Sequence, residues 1–71
     1  MPTHHTISLA ALLAVFKERV HDAGGYTAAA RQLQISFGYL HDICTERRQP
    51  GDKALAAVGY EAIPPRFRKI S

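Results

Sequence analysis

Residues 26–46, YTAAARQLQISFGYLHDICTE, decide the fold, because their pattern predicts two short helices joined by a tight turn. Helical spacing puts the apolar side chains on one face of each helix. They are Ala30 and Leu33 in the first helix and Leu40, Ile43 and Cys44 in the second. Ser36, in the turn, is a favourable N-cap for the second helix. Two such short helices need a third for support, and a pair of this kind usually places its second helix in a DNA groove.

Residues 26–44 resemble the helix-turn-helix of the lambda-repressor-like family, the phage Cro and repressor group of transcription regulators. The residues that carry the resemblance are a small Ala30 where the helices cross, Ile35 in the turn, and Leu40 and Ile43 in the second helix. Residues 46–59 are similar to the loop and following helix of small phage-type members, so the resemblance spans about residues 8–60. It implies a sequence-specific regulator that binds a double-stranded, palindromic DNA operator as a homodimer.

Two residues differ from the family pattern. Gln34 stands where the family usually has Gly, so it must adopt a positive φ that costs a non-Gly residue about 1 kcal/mol. Tyr26 stands where many members have a Gln that contacts phosphate and supports the second helix. The resemblance therefore assigns that phosphate contact to a tyrosine in this chain.

Hydrophobic periodicity predicts four helices, at residues 8–23, 26–33, 37–45 and 52–58. Ser8 can cap the first helix, and the pair Gly24-Gly25 can end it. Gly59 ends the fourth helix. The predicted fold class is all-α, a small four-helix domain that contains a helix-turn-helix and carries an extended C-terminal arm.

Two prolines near the end of the sequence predict the extended C-terminal arm. Pro64 and Pro65 fix φ and lack N–H donors, so the fourth helix cannot continue through them. We expect Ile63, Phe67 and Ile70 to pack on the domain or on a second subunit; a frayed tail is the alternative. The resemblance, together with their apolar character, implies that they are dimer contacts. On this prediction, residues 61–71 are not needed for the helical core to fold. The predicted organisation is a flexible N-terminus at residues 1–7, the DNA-binding domain at 8–59 and the basic arm at 60–71.

Length and composition agree with one small domain. A chain of 71 residues buries about 60–65% of its unfolded surface, which supports one compact core and leaves no room for an ordinary catalytic cleft. A hydrophobic content of 46% argues against disorder. No apolar run approaches the ~20 residues of a membrane span, and the N-terminus has no secretory pattern. The expected location is the bacterial cytoplasm, in association with the nucleoid, with no membrane contact.

No grouping of residues predicts catalysis or metal binding. The single cysteine, Cys44, excludes an intramolecular disulfide and a zinc finger, and is interpreted as a small core residue. The adjacent His4 and His5 make a poor metal site. His41 and Asp42 are neighbours on a helix and therefore do not face each other as a catalytic pair. We expect no enzyme activity, no cofactor, no metal and no small-molecule substrate.

Positive net charge is concentrated in the last third of the chain. Residues 1–46 hold three basic and four acidic side chains, a net charge of −1. Residues 47–71 hold six basic and two acidic side chains, a net charge of +4, which completes the total of +3. This basic part begins directly after the second helix of the pair, where phosphates would flank the groove. An ordinary solvated surface is the alternative interpretation.

The candidate DNA contacts combine helical geometry with the family's contact positions. The predicted base contacts are Phe37, Gly38, His41 and Asp42. Phe37 can press on a thymine methyl, His41 can donate to guanine, and Asp42 can accept from cytosine N4. The predicted phosphate contacts are Tyr26, Thr27, Ser36, Tyr39, Thr45, Arg47 and Arg48. For Tyr39, packing against the first helix is an equal alternative.

A second function remains open from the sequence. The chain can be a protein-interaction module, such as an antitoxin or adaptor, that keeps the helix-turn-helix but does not bind specific DNA. The exposed Phe37 and the acidic Asp42 favour this interpretation, whereas Arg47, Arg48 and the basic tail favour DNA binding.

Overall fold

Four helices and three short strands make up residues 6–70, the part of the chain that a computed structural model describes. Their order is β1 (Thr6–Ile7), α1 (Leu9–Ala23), α2 (Tyr26–Leu33), α3 (Phe37–Cys44), α4 (Asp52–Ala57), β2 (Tyr60–Ile63) and β3 (Arg66–Lys69). The four predicted helices are confirmed, with ends that differ from the prediction by no more than one residue. The predicted arrangement at His4 and His5 lies outside the described residues.

The ends of α1 are fixed by the residues that the sequence indicated. The Ser8 hydroxyl oxygen accepts a hydrogen bond from the Ala11 backbone N–H at 3.2 Å, and so caps one of the free amides at the helix start. Gly24 adopts a left-handed conformation at φ 90°, and the Gly25 N–H donates back to the Val20 carbonyl at 2.9 Å. This pairing satisfies the last carbonyls of the helix and turns the chain into α2.

The core lies where α1, α2, α3 and α4 meet. Its largest fully buried side chains are Phe16, Leu12, Leu40, Ile43 and Leu55. Cys44 is buried among them, which confirms its interpretation as a core residue. The predicted inner faces of α2 and α3 are therefore the faces that pack on α1.

The all-α fold class was wrong, because the last part of the chain forms a sheet. Strands β2 and β3 form an antiparallel hairpin in which Ala62 pairs with Phe67, and β1 adds to the other side of β3, pairing Thr6 with Arg68. The sheet has the order β1-β3-β2, so the domain is mixed α/β. Residues 6 and 7, at the end of the segment predicted to be flexible, thus form a strand.

The prolines explain the error. Pro64 and Pro65 lie in the two-residue connection between β2 and β3, where the chain reverses and the ladder needs no N–H donor from them. They therefore shape a hairpin turn and do not interrupt an extended arm. Tyr60 and Phe67 pack against the helical core from this hairpin. Since these side chains belong to the fold, we no longer expect residues 61–71 to be dispensable for it.

The outer face of the sheet is held by polar pairs between strands. The Arg68 guanidinium donates to the Glu61 carboxylate, with Nε and Oε2 2.6 Å apart. The Arg66 Nε donates to the Thr6 hydroxyl at 2.7 Å, which joins β3 to the short β1. The basic residues of the tail are thus partly used inside the monomer.

Candidate nucleic-acid interface

The turn between α2 and α3 fixes the direction in which α3 leaves the domain. Gln34 adopts a left-handed conformation at φ 58° and ψ 41°, as its place in the turn predicts. The Ile35 N–H donates to the Ala30 carbonyl at 3.0 Å, and the Gln34 N–H donates to the Arg31 carbonyl at 3.2 Å. The chain then enters α3 at once, with the Ser36 hydroxyl accepting from an α3 backbone amide at 3.1 Å.

The predicted base-contact residues lie together on the outer side of α3. Leu40, Ile43 and Cys44 are buried and hold the helix on the core. The remaining side chains form a band that runs from Phe37 and His41, on the side of α2, through Gly38 and Asp42. A Cβ placed on Gly38 would meet no atom within 4 Å, so the backbone there is open to a large partner.

An aromatic patch, made of Tyr26, Phe37 and His41, covers the α2 side of this band. The rings of Phe37 and His41 are stacked, with centroids 6.0 Å apart and planes at 7°. Tyr26 meets both rings edge-on, at 5.8 Å from Phe37 and 5.2 Å from His41. The four-residue spacing of Phe37 and His41 was a signal for their contact. The contact of the Tyr26 ring with both of these rings depends on how α2 crosses α3, which the sequence does not show.

The opposite side of the band carries the arginines. Helix α3 ends at Cys44, and Glu46 takes up a left-handed conformation at φ 64°, which turns the chain toward Arg47 and Arg48. The Arg48 Nε lies 3.8 Å from the Asp42 carboxylate, and its guanidinium lies 5.6 Å from the centroid of the Tyr39 ring. Both arginines are exposed. Arg48 thus offsets the negative charge that Asp42 would otherwise present to phosphates.

Three predicted phosphate contacts, Ser36, Tyr39 and Thr45, have hydroxyl groups that are already hydrogen-bonded within the domain. The Ser36 oxygen accepts from the Tyr39 backbone N–H, which leaves the serine proton free to donate. The Tyr39 oxygen accepts from the Gly51 backbone N–H at 2.6 Å, which leaves the tyrosine's own proton free to donate. The Thr45 hydroxyl donates to the His41 carbonyl at 2.8 Å, so its single proton is used inside the helix. Tyr39 is also half-buried against the core. Ser36 and Tyr39 each keep a proton that can be donated to phosphate, whereas Thr45 does not.

The start of α2 offers a further place for an anion. Gly25 is its N-cap and supplies no side-chain hydrogen bond, and Thr27 in the first turn is exposed. Backbone amides at a helix start carry partial positive charge and bind phosphate oxygens well. Tyr26 joins this helix start to the aromatic patch. The predicted contacts at Tyr26 and Thr27 therefore lie beside the outer band of α3.

The predicted dimer contacts divide between two faces of the hairpin. Ile63 and Ile70 are 39% and 52% exposed, whereas Phe67 is half-buried against the helices. Phe67 therefore packs within the monomer and is the least available of the three for a dimer contact. The exposed Ile63 and Ile70 form an apolar surface that can contact a second copy of the chain. Their role as dimer contacts remains a prediction.

The buried position of Cys44 lowers the reactivity of its thiol. Burial raises the pKa of the thiol, while the charge of Lys17 and a hydrogen bond with Tyr26 act in the opposite direction. The net effect keeps the thiol protonated at neutral pH. A protonated, buried thiol is a weak nucleophile, so Cys44 acts here as a core side chain.

Within residues 6–70, no three His, Cys, Asp or Glu side chains come together as metal ligands would. No helix in the same range is long and apolar enough to cross a membrane. Comparison with known proteins finds no family model, no curated protein and no solved structure that matches this chain. Its function is therefore inferred from the arrangement of its own side chains.

Proposed function

We propose that this chain is a sequence-specific DNA-binding transcription regulator of the phage or prophage Cro-like type. It would bind a palindromic double-stranded operator as a homodimer, in the bacterial cytoplasm and at the nucleoid. The observation that carries the proposal is the position of α3. Leu40 and Ile43 fix the helix to the core, while its outer band stays accessible directly after a tight turn from α2.

The surroundings of α3 support this proposal. The start of α2, with its uncapped amides, lies on one side of the outer band. Arg48 lies on the other side, beside Asp42 and Tyr39. A helix in the major groove needs phosphate contacts on both sides to fix its register, and this arrangement offers them.

The aromatic patch supports a second candidate function. Exposed aromatic side chains are common at the centre of protein interfaces, and Phe37 is 52% exposed. A protein-interaction module, for example an antitoxin or adaptor, would use the same outer band for a protein partner. Asp42 would be more favourable there than in a phosphate-rich groove.

The experiment that separates the two functions is the salt dependence of binding to random duplex DNA. A DNA-binding protein loses affinity steeply as salt rises, because cations are released from the phosphates on binding. An interaction module that does not bind DNA gives no such curve. Measurable binding with a steep negative slope supports the regulator, and absence of binding at low salt overturns it.

Arg47→Ala and Arg48→Ala test the phosphate contacts within that assay. Each variant should weaken binding to specific and random DNA alike and reduce the salt slope by about one unit for each lost contact. Arg19→Ala, at an exposed position on α1, is the matched control and should leave the slope unchanged. Unchanged affinity and slope in both test variants would remove these arginines from the interface.

A further inference from the structure

Helix α3 has few groups that read bases by hydrogen bonding. Its sequence, FGYLHDIC, contains no Arg, Lys, Asn or Gln, the residues that make the bidentate contacts to guanine and adenine. Asp42 can accept from cytosine, but its carboxylate lies 3.8 Å from the Arg48 Nε. Among the outward side chains of this helix, His41 is left as the main hydrogen-bonding group. Most of the discrimination must come from another kind of contact.

The aromatic patch provides that contact. Phe37 stands in the first turn of α3, the turn that enters deepest in a helix-turn-helix complex, and half of its surface is open. Its ring stacks on His41 and meets the Tyr26 ring edge-on. Gly38 beside it adds no side chain that would keep a base at a distance. The patch thus presents the exposed Phe37 ring on the side of α3 that would face base edges.

We propose that this patch reads the C5-methyl groups of pyrimidines, so that the operator is recognised partly through 5-methylpyrimidines. This inference rests on the proposed DNA-binding function. The C5-methyl of thymine is the apolar group that an unmodified base pair displays in the major groove. A cytosine methylated at C5 displays the same group. Phe37 forms the contact surface, and Tyr26 and His41 position its ring.

The expected effect follows from the size of a methyl group. Burying one such group contributes about 0.8 kcal/mol, which corresponds to about a fourfold change in affinity. A homodimer on a palindrome makes the contact twice. Removing the methyl from both half-sites should therefore weaken binding about fifteenfold.

The test begins with a site selected from random duplex DNA by the full chain. Each thymine is then replaced in turn by deoxyuridine, which removes the methyl group and leaves every hydrogen-bonding group in place. At one position in each half-site, we expect about fourfold weaker binding for each methyl group removed. Placing 5-methylcytosine opposite the patch should restore the methyl contact, measured against unmodified cytosine at the same position.

Phe37→Ala links the effect to the patch. This variant should bind the thymine and deoxyuridine sites equally, because the ring that contacts the methyl is gone. Arg19→Ala, at an exposed residue of α1 with no assigned role in binding, is the control and should keep the thymine preference. Circular dichroism and thermal unfolding establish that both variants are folded, which the exposure of both residues leads us to expect.

The outcomes separate this inference from the function on which it rests. Specific binding that is equal for thymine and deoxyuridine at every position overturns methyl reading and leaves the regulator intact. A thymine preference that persists in Phe37→Ala also overturns it, since the methyl would then be read elsewhere. Failure to bind any duplex DNA overturns the proposed function itself and leaves the patch as a surface for a protein partner.

Discussion

Replacing Gln34 by glycine should stabilise the domain, although it removes a side chain. The φ of 58° at this residue places its Cβ near the following carbonyl, which costs an L-residue roughly 1–2 kcal/mol. Glycine does not have this cost. It does lose more conformational freedom on folding, which costs about 0.5–1 kcal/mol. The difference lies between about 0 and 1.5 kcal/mol, so the expected net gain in the free energy of unfolding is about 0.75 kcal/mol, or several degrees in Tm for a domain of this size.

Urea denaturation followed by circular dichroism measures this gain as a higher midpoint with an unchanged slope. Gln32→Gly is the matched control, because Gln32 is exposed like Gln34 but lies within α2. The same chemical change should there reduce stability by about 0.5 kcal/mol, since helical φ gives glycine no advantage. Opposite signs for the two variants would show that the backbone conformation is the cause. A midpoint for Gln34→Gly at or below that of the unchanged chain would refute the argument from strain.

Three further predictions concern the core and its edges. Phe16→Ala should cost about 3–5 kcal/mol in calorimetry or urea denaturation, because Phe16 is fully buried; a smaller loss would mean that the core collapses around the cavity. Tyr39→Phe removes the acceptor for the Gly51 N–H and should cost about 0.5–1.5 kcal/mol, whereas Tyr60→Phe, whose hydroxyl has no hydrogen-bond partner among residues 6–70, should cost less. The raised pKa of Cys44 means that the folded chain binds the thiol proton more tightly than the unfolded chain does. Stability should therefore fall as pH rises through about 8.5 and above, and Cys44→Ala should fall less over the same range.

The helices could be predicted because their signals are local. Ser8 and Ser36 precede helices that they cap, and Gly24 ends one in the left-handed conformation that glycine favours. The buried faces of α2 and α3 follow from spacing of apolar residues along one chain segment. The left-handed conformation at Gln34 was expected from the resemblance, because the family usually has Gly at this place.

The sheet could not be predicted in full because one strand depends on distant residues. Strand β1 is two residues long, and Thr6 pairs with Arg68, more than 60 positions away. The hairpin had a local signal: apolar and polar residues alternate at Arg66, Phe67 and Arg68, with Pro64 and Pro65 at a plausible turn. Because the prolines were interpreted as giving an extended arm, this alternation was not assigned to a strand.

The outward position of side chains on α3 could be predicted from the sequence, but their contacts with other elements could not. Helical geometry was enough to place Phe37, Gly38 and His41 on the outside of α3. The contact of Tyr26 with two of these rings requires the crossing of α2 and α3. Arg47 and Arg48 follow Asp42 closely in sequence, so screening of Asp42 by one of them could be expected. The left-handed turn at Glu46 that brings Arg48 there was not indicated by the sequence.

Strand β2 lies at an edge of the sheet, and this position bears on aggregation. An unpaired strand edge is a template on which further chains can add, and in residues 6–70 the order β1-β3-β2 leaves β2 with such an edge. The edge is only four residues long, contains the charged Glu61, and is ended by Pro64 and Pro65, which cannot donate to a neighbouring strand. The same prolines that shape the hairpin turn therefore limit the growth of intermolecular β-structure at high protein concentration.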